Sequence, residues 1–591
     1  MDHHDASDRG ETEGGTVNNR EAADVFRHIA DLLEIKGEAI YRVLAYRRAA
    51  DAIQDLGRDL HDVWEQGELQ EIPGVGKAIA EKIDELLRTG KLEYFEKLTS
   101  EVPPGLIDVL AVGDVGPKKA ARFWKELNIT SIDELEQAAR DGQLQDLSGM
   151  GEKSEARILE NIQALRERQT GRMLLGKAAE TSALLLERLR ALPGISEAEA
   201  AGSLRRFRET VGDLDLIVAA ENPGSVLEAF IAFPEVARTL GQGETKASVE
   251  LHDGTRVQVW VHPPDHFGSA WQYATGSQAH NVKLRELALK KGLSLSEHGF
   301  KKDDDGDIAC ATEEEVYATL ELPWIPPELR EDRGEIQASL AGELPELVQV
   351  SDLKGELHAH SDWSDGGVSM REMISAAQSL GLQYFVISDH SHSLGVANGL
   401  TVKRLEKQRR EIEELQDEIG DSLKILHGSE VEILADGSLD YPDDVLAGLD
   451  IVIASLHMSL RQARDVITAR LISAISNPNV DIIGHPTGRL IGKREAADLD
   501  LEPVLQAAAA HNVALEINAN PERLDLRDVH VRMAIDHGCL LAINTDAHRP
   551  EHLGFRVYGV GTARRGWATS DSILNSWPLD KLQNWLANRG Q

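Results

Sequence analysis

At 591 residues, with 41% hydrophobic and 28% charged side chains, the chain is too long for one core and predicts several domains, each able to bury its own apolar surface. It has no apolar run long enough to span a membrane, its opening MDHHDASDRGETEGG lacks the basic and apolar regions of a signal peptide, and two distant cysteines, Cys310 and Cys539, fit a reduced cytoplasm. A formal charge of −37, from 63 basic and 100 acidic residues, argues on bulk electrostatics against a polyanionic partner, although bound cations and backbone amides at helix starts can offset it locally.

In chain order, residues 1–19 read as a polar, disordered tail. Residues 20–98 are helical in period, with Val25, Ile29, Leu32 and Leu33 on one face. Within them, IPGVGKAIAEKI ends one helix at Ile72 and turns through Pro73, Gly74, Val75 and Gly76 into the next. Such a turn exposes backbone amides that can hold a phosphate without reading a base. Related turns follow in LAVGDVGPKKA (Gly113, Gly116) and LSGMGEKSEA (Gly149, Gly151). One such turn is usually a plain helix cap. Three similarly framed copies resemble helix-hairpin-helix motifs and favour tracking of a DNA backbone.

Beyond residue 200 the character changes. GSLRRFRETVGDLDLIVAA combines a Gly-Ser turn, a basic loop with Arg205 and Arg206, and an alternating strand that puts Asp213 and Asp215 on one face. Two carboxylates so placed can hold divalent cations about 3.5–4 Å apart, the geometry of two-metal phosphoryl transfer.

From 353 to 548, short apolar runs end one after another in metal-ligand residue types. The series is His358 and His360, Asp365, His390, Glu430, His457, His485, Asp546 and His548. In a barrel of parallel strands only the C-terminal strand ends share a face, so residues remote in sequence converge there. Nine imidazoles and carboxylates on one face predict a multinuclear metal centre, and mixed nitrogen and oxygen ligands suit zinc, manganese or iron better than calcium. Arg489 and Arg523, in loops near the series, are candidates to clamp a phosphate.

Residues 350–575 resemble the PHP domain, a metal-dependent phosphoesterase module, and all nine residues fall on that family's ligand positions. GS-x-x-R followed by GDLD resembles the palm of family X DNA polymerases, as does YATGSQAHNVKLRELA from Tyr273. The resemblance implies that Ser203 and Arg206 bind the incoming triphosphate, Asp213 and Asp215 the catalytic metals, Tyr273 and Gly276 the sugar, and Asn281 and Arg285 the base pair. It further implies a lyase domain in which Lys82 forms a Schiff base, Arg42 and Tyr46 contact a 5′-phosphate, and Gly74, Gly76, Gly113 and Gly116 meet the DNA backbone.

The expected architecture is multidomain. It comprises α-helical helix-hairpin-helix domains at 20–98 (lyase-like) and 99–170 (fingers-like), an α+β nucleotidyltransferase palm and thumb at 171–325, a linker at 326–349, a distorted (β/α)7 PHP barrel at 350–575 and a C-terminal helix at 576–591. The implied function is DNA repair, combining gap filling, 3′→5′ trimming and 5′-deoxyribose phosphate removal. Manganese or zinc, up to three ions, would sit in the barrel, and magnesium or manganese in the palm. The implied partners are gapped or 3′-ended DNA and dNTPs, bound by a cytoplasmic monomer. Two other readings are a nuclease whose palm only binds DNA, and a small-molecule phosphatase of the histidinol-phosphatase type.

One departure from the family matters most. Its palm uses a third aspartate, which accepts the primer hydroxyl proton. In TRVQVWVHPPD the position falls on Gln258, an amide that neither binds cations strongly nor acts as a base. A two-residue Asp253-Gly254 turn would pair Glu250 with Val257 and put Glu250 on the wrong face to substitute. Trp260 also stands where the family carries a basic residue.

Overall fold

The structure, a computed structural model, describes residues 19–54, 60–72, 74–89, 91–103, 105–110, 112, 115–147, 150–151, 153–159, 161–162, 172–302 and 306–588. Gly113, Gly149 and, apart from Asn19, the expected tail lie outside them. The chain forms two compact units, 1–169 and 170–591. Among the described residues no helix is long and apolar enough to cross a membrane.

The described part of the first unit is helical. Its apolar stripes recur every three or four residues and merge into one core from Ala22 to Ile162, through Phe26, Leu33, Ile53, Ile83 and Phe123. Helix Lys77–Thr89 contributes Ile79, Ala80, Ile83 and Leu86 to it. Gly74 precedes that helix at φ 86°, a conformation that strains L side chains, and a Cβ there would lie 3.4 Å from Arg48 Cβ. The Gly76 carbonyl accepts from Ala80 N–H at 2.9 Å, and the Gly116 carbonyl from Ala120 N–H at 3.0 Å. Both glycines therefore open helices whose first amides have no intrahelical acceptor.

In the second unit, the palm sheet uses strands β1 (Ile195–Ala200), β2 (Leu214–Ala220), β3 (Val236–Gln242), β4 (Lys246–Leu251) and β5 (Arg256–His262) in the order β1-β2-β5-β4-β3. Only β2 and β5 run parallel, with Asp215 opposite Gln258. Alternation in β4 and β5 sends Ala247, Val249, Val257 and Val259 into the core, leaving Ser248, Glu250 and Gln258 on the other face.

The β4–β5 turn corrects the register expected for Glu250. Leu251 N–H donates to the Thr255 carbonyl at 2.8 Å, so three residues rather than two form the loop, with Gly254 at φ 86°. Glu250 consequently pairs with Arg256, Ser248 with Gln258, and Glu250 shares the Gln258 face instead of opposing it.

The barrel strands follow as β6 (Gly355–Glu356), β7 (Tyr384–Ile387), β8 (Lys424–Glu432), β9 (Ile451–Ser455), β10 (Ile482–Gly484), β11 (Ala514–Asn518) and β12 (Leu541–Asn544), all parallel and in sequence order. A bridge between Ala359 and Ala547, with His360 N–H donating to the Ala547 carbonyl at 2.8 Å, joins the first and last strand ends and nearly closes the barrel. Helices cover the outside, so the strands are buried on both faces and read as apolar runs.

Palm and barrel share apolar packing. Leu524 of the barrel lies in the palm core, with Ile491 and Tyr558 packed against it. Residues 326–349 are also packed. The fully buried Arg330 binds both Glu313 oxygens at 2.6 and 2.9 Å and the Ile325 carbonyl at 2.8 Å, which satisfies its charge where water cannot.

Candidate metal centre and nucleotide cleft

At the C-terminal mouth of the barrel, three overlapping groups each bring their ligand atoms within 4.8 Å of one another: His360, Asp365, His390 and His548; His358, His360, Glu430 and Asp546; His390, Glu430 and His457. Glu430 is central. Its Oε2 lies 3.0 Å from His390 Nδ1 and 3.2 Å from His358 Nε2, while Oε1 lies 2.9 Å from His485 Nε2 and 3.2 Å from His457 Nε2. Asp365 and His548 form the open side, with Oδ2 3.4 Å from Nε2, and the rest is buried or nearly so. All nine residues singled out in the sequence therefore meet. His485 and Asp546 have positive φ of 24° and 53°, unusual for residues with side chains and frequent where backbone is bent to aim a functional group.

Several buried polar atoms here have no hydrogen-bond partner among the described residues: His358 Nε2, both ring nitrogens of His360, and Glu430 Oε2. Such atoms are costly unless something unites them, and cations between the rings and carboxylates would do so. The donor set thus fits divalent metals. Burial pushes the Glu430 carboxyl up, but the imidazoles of His390, His358 and His457 outweigh it and hold the group well below the usual carboxylate range. His360 is pushed down to about 4 by burial and by the flanking His548 and His390 rings, which leaves it neutral and able to coordinate.

Outer contacts orient these rings. His358 Nδ1 meets Glu516 Oε1 and His457 Nδ1 meets Glu432 Oε2, each at 2.7 Å, and His548 Nδ1 lies 2.8 Å from the Asp546 carbonyl. Each contact leaves Nε2 to face inward. Sequence reasoning missed Glu432 and Glu516. Their signal was a carboxylate inside an apolar strand run, in VEIL and ALEIN. Asp389 pins two ligand loops together by accepting from Ser361 N–H, Ser361 Oγ, Ser364 Oγ and Gln408 Nε2. Of the two expected phosphate clamps, Arg523 lies at the centre, Nε 3.7 Å from Asp546 Oδ2, with Nη1 buried and without a partner among the described residues. Arg489 does not. It turns toward the palm to pair with Glu209 at 2.8 Å and donates to the Leu524 carbonyl.

In the palm, a Cβ on Gly202 (φ 60°) would fall 2.4 Å from Asp215 Oδ2, so the Gly-Ser turn needs glycine to let this carboxylate approach. Burial, then Asp213, pushes Asp215 up to about 6, as expected of two acids sharing a site that cations would relieve. Lys246 on β4 lies over the Trp260 ring at 4.0 Å and lowers Asp215, so a positive charge reaches this region from the neighbouring strand although position 260 is aromatic. Arg206 donates from Nε to Glu331 at 3.0 Å and from Nη1 to the Thr275 carbonyl. A Cβ on Gly276 would lie 3.1 Å from Arg206 Nη1, and Asn281 Nδ2 donates to the Tyr273 carbonyl at 2.8 Å. Arg206, Tyr273, Gly276 and Asn281 thus form one wall, with Ser203 in the short helix Gly202–Arg205 and exposed Arg285 one turn beyond Asn281.

Family models match the chain as a helix-hairpin-helix domain at 17–92, a SAM-like helix-hairpin-helix tandem at 106–164, a DNA polymerase beta thumb at 270–331 and a PHP domain at 356–520. The DNA polymerase/3′-5′ exonuclease PolX of Bacillus subtilis is 40% identical over 575 residues, covering 96% of this chain and 99% of that protein. The chain belongs to the family X DNA polymerases with a C-terminal PHP domain. Rat DNA polymerase lambda is 25% identical over 350 residues, 53% of this chain and 58% of that protein. A probable phosphatase of a Thermoanaerobacter species is 30% identical over 247 residues, 40% of this chain and 94% of that protein.

The first helix-hairpin-helix region of this family X chain also brings Lys82, Arg42 and Tyr46 around one ring. Lys82 Nζ sits 4.9 Å from the Tyr94 ring centroid, Arg42 Nη2 donates to Tyr94 Oη at 3.0 Å, and Tyr46 stacks on Tyr94 with centroids 6.0 Å apart. Tyr94 organises the cluster, and only its place on the neighbouring helix Glu93–Glu101 reveals it.

Proposed function

We propose that the enzyme trims DNA 3′ ends in its barrel and binds gapped DNA and dNTPs through its palm and helical domains, as the name of its Bacillus relative suggests. The observation that carries this reading is the buried cluster around Glu430, whose unpaired nitrogens and oxygens fit divalent cations. Manganese or zinc held by the nine residues would activate a water and neutralise charge on a phosphorane-like transition state. Arg523, with Nη1 unpartnered, would hold a phosphate oxygen, and the scissile end would enter past Asp365 and His548. The test is 3′→5′ trimming of labelled DNA after chelation and after addition of manganese. Activity that survives chelation would overturn the reading.

In the palm, Asp213 and Asp215 would hold magnesium or manganese, Ser203 and Arg206 the triphosphate, Tyr273 and Gly276 the sugar, and Asn281 and Arg285 the base pair. Gln258 leaves the primer hydroxyl without its usual proton acceptor, so gap filling is slow. Lys82 would form a Schiff base with a 5′-deoxyribose phosphate, beside Arg42 and Tyr46, while Gly74, Gly76 and Gly116 present amides to the DNA backbone. Borohydride should trap this adduct with the intact protein and not with Lys82→Ala; equal trapping would reassign the nucleophile. The protein acts as a cytoplasmic monomer.

The similarity of 40% of the chain to nearly the whole of a probable phosphatase, beside the PHP domain match at 356–520, favours a second reading, hydrolysis of a small phosphomonoester. Phosphate release from such a compound, with DNA ends left untouched, would support it.

A further inference from the structure

The loop that carries Arg206 is docked on the barrel rather than free at the palm surface. Phe207, the next residue, has φ 52° and lays its ring on barrel helix Arg556–Arg565 at Gly561, where a Cβ would fall 2.1 Å from Phe207 Cδ1. Four residues further along the same helix, Arg565 is buried to 4% exposure. Its Nη1 donates to the Arg206 carbonyl at 2.6 Å and to Glu331 Oε1 at 2.9 Å, and its Nε and Nη2 donate to Asp528 Oδ2 at 3.1 and 2.7 Å. Glu331 Oε1 also accepts from Arg206 Nε at 3.0 Å. One barrel side chain therefore holds both ends of Arg206: the main-chain carbonyl directly, and the guanidinium through a shared carboxylate oxygen.

The remaining contacts leave part of Arg206 available. Nη1 is taken by the Thr275 carbonyl beside Gly276, while Nη2 makes no hydrogen bond among the described residues. A guanidinium fixed at Nε and Nη1 has lost most of its rotamer freedom before a ligand arrives, and the affinity of its free donor for phosphate gains accordingly. Asp528 is itself gripped by Arg333 Nη1 at 3.0 Å, so the anchor spans the segment leaving the thumb as well.

We propose that the PHP barrel completes the polymerase nucleotide site, with Arg565 and Glu331 acting as positioning residues that pre-orient Arg206 for the triphosphate of an incoming nucleotide. The proposal rests on the reading that Arg206 contacts that triphosphate. It makes the barrel part of the nucleotide-binding apparatus, although its metal centre lies on a different set of elements.

The experiment measures dATP affinity in the full-length protein, on gapped DNA with a dideoxy-terminated primer and magnesium, for wild type, Arg206→Met, Arg565→Met and the double variant. Arg565→Met should weaken dATP binding by about fivefold or more, and the double variant should bind no more weakly than Arg206→Met alone, since both changes remove one interaction. Arg565→Lys, which keeps one charged donor, should recover part of the loss. An unchanged dATP affinity in Arg565→Met, with Arg206→Met weakened, would overturn the proposal and leave Arg565 a plain interdomain staple. Unchanged affinity in Arg206→Met would instead overturn the underlying reading of the nucleotide site. Retained manganese-dependent trimming reports an intact fold. If Arg565→Met does not fold, Glu331→Gln, which keeps the acceptor but removes its charge, takes its place with a smaller expected loss and the same overturning result.

Discussion

The barrel centre and the palm cleft both collect acids that need cations, yet they differ in completeness and in how they are built. In the barrel, nine residues from successive strand ends converge; the buried carboxylates of Glu516 and Glu432 hold two of the rings by Nδ1, and the Asp546 carbonyl holds a third. In the palm, two carboxylates stand beside an amide, with Asp215 opposite Gln258 in the parallel β2–β5 pair. A distributed centre is fixed by the closure of the whole barrel, whereas the palm site depends on the register of one strand pair. On the proposed reading of the palm, an amide at position 258 therefore leaves that site one carboxylate short.

The largest effect that tests this contrast lies in the barrel. His358→Ala or Asp546→Ala removes a member of the group His358, His360, Glu430 and Asp546, which overlaps the other two through His360 and Glu430, and metal assistance is worth several kcal/mol of transition-state stabilisation, or about 10³-fold and more in rate. Manganese-dependent trimming should fall by that factor while DNA binding stays near wild type. Retained trimming by either purified variant would place the chemistry elsewhere.

The next effect belongs to the palm. Gln258→Asp restores a charge beside Asp215 and an acceptor for the primer hydroxyl, and a general base typically contributes about 10²–10⁴-fold. Single-turnover gap filling should rise toward the lower end of that range with little change in dATP affinity. Fast synthesis by the unaltered protein, indifferent to the substitution, would mean that another group does the work.

The barrel site was readable in the sequence because parallel strands turn sequence position into spatial position: each apolar run ends on the same face, whatever the loop lengths. Glu516 and Glu432 were not readable in the same way. They sit within the strands, where alternation says only that a carboxylate points into the barrel, and only the folded structure shows which imidazole it meets. Arg489 shows a related limit, since its loop placement suggested a phosphate clamp while its partner, Glu209, comes from the palm. The register of Glu250 failed on a local detail, a three-residue loop in place of the two-residue turn that Asp-Gly usually signals.

A smaller effect probes the orienting contacts. Glu516→Gln keeps the shape of the side chain but weakens its hold on His358 Nδ1, and changes of this kind typically cost about 10–100-fold in metal affinity or activity. The manganese concentration needed for half-maximal trimming should rise within that range, with near-normal activity recovered at saturation. An unchanged requirement would mean that barrel packing alone orients His358.

The smallest effect sharpens the palm side of the contrast. Glu250 lies on the Gln258 face, so the corrected register makes it the nearest acid on β4 that could stand in for the missing carboxylate. Its position argues against that role. β4 lies beyond β5 from Asp215, Ser248 rather than Glu250 faces Gln258, and both Glu250 oxygens are taken by Arg238 of β3, at 3.0 and 2.9 Å. That pairing holds the Glu250 carboxyl below its ordinary range, so the group is a weak base engaged at the sheet edge. Glu250→Gln should therefore change gap filling by less than about twofold, in the unaltered background and with Gln258→Asp, because distant sites without shared partners act independently. A marked loss in the Gln258 background alone, absent once Asp stands at 258, would show that Glu250 leaves Arg238 to serve the primer hydroxyl.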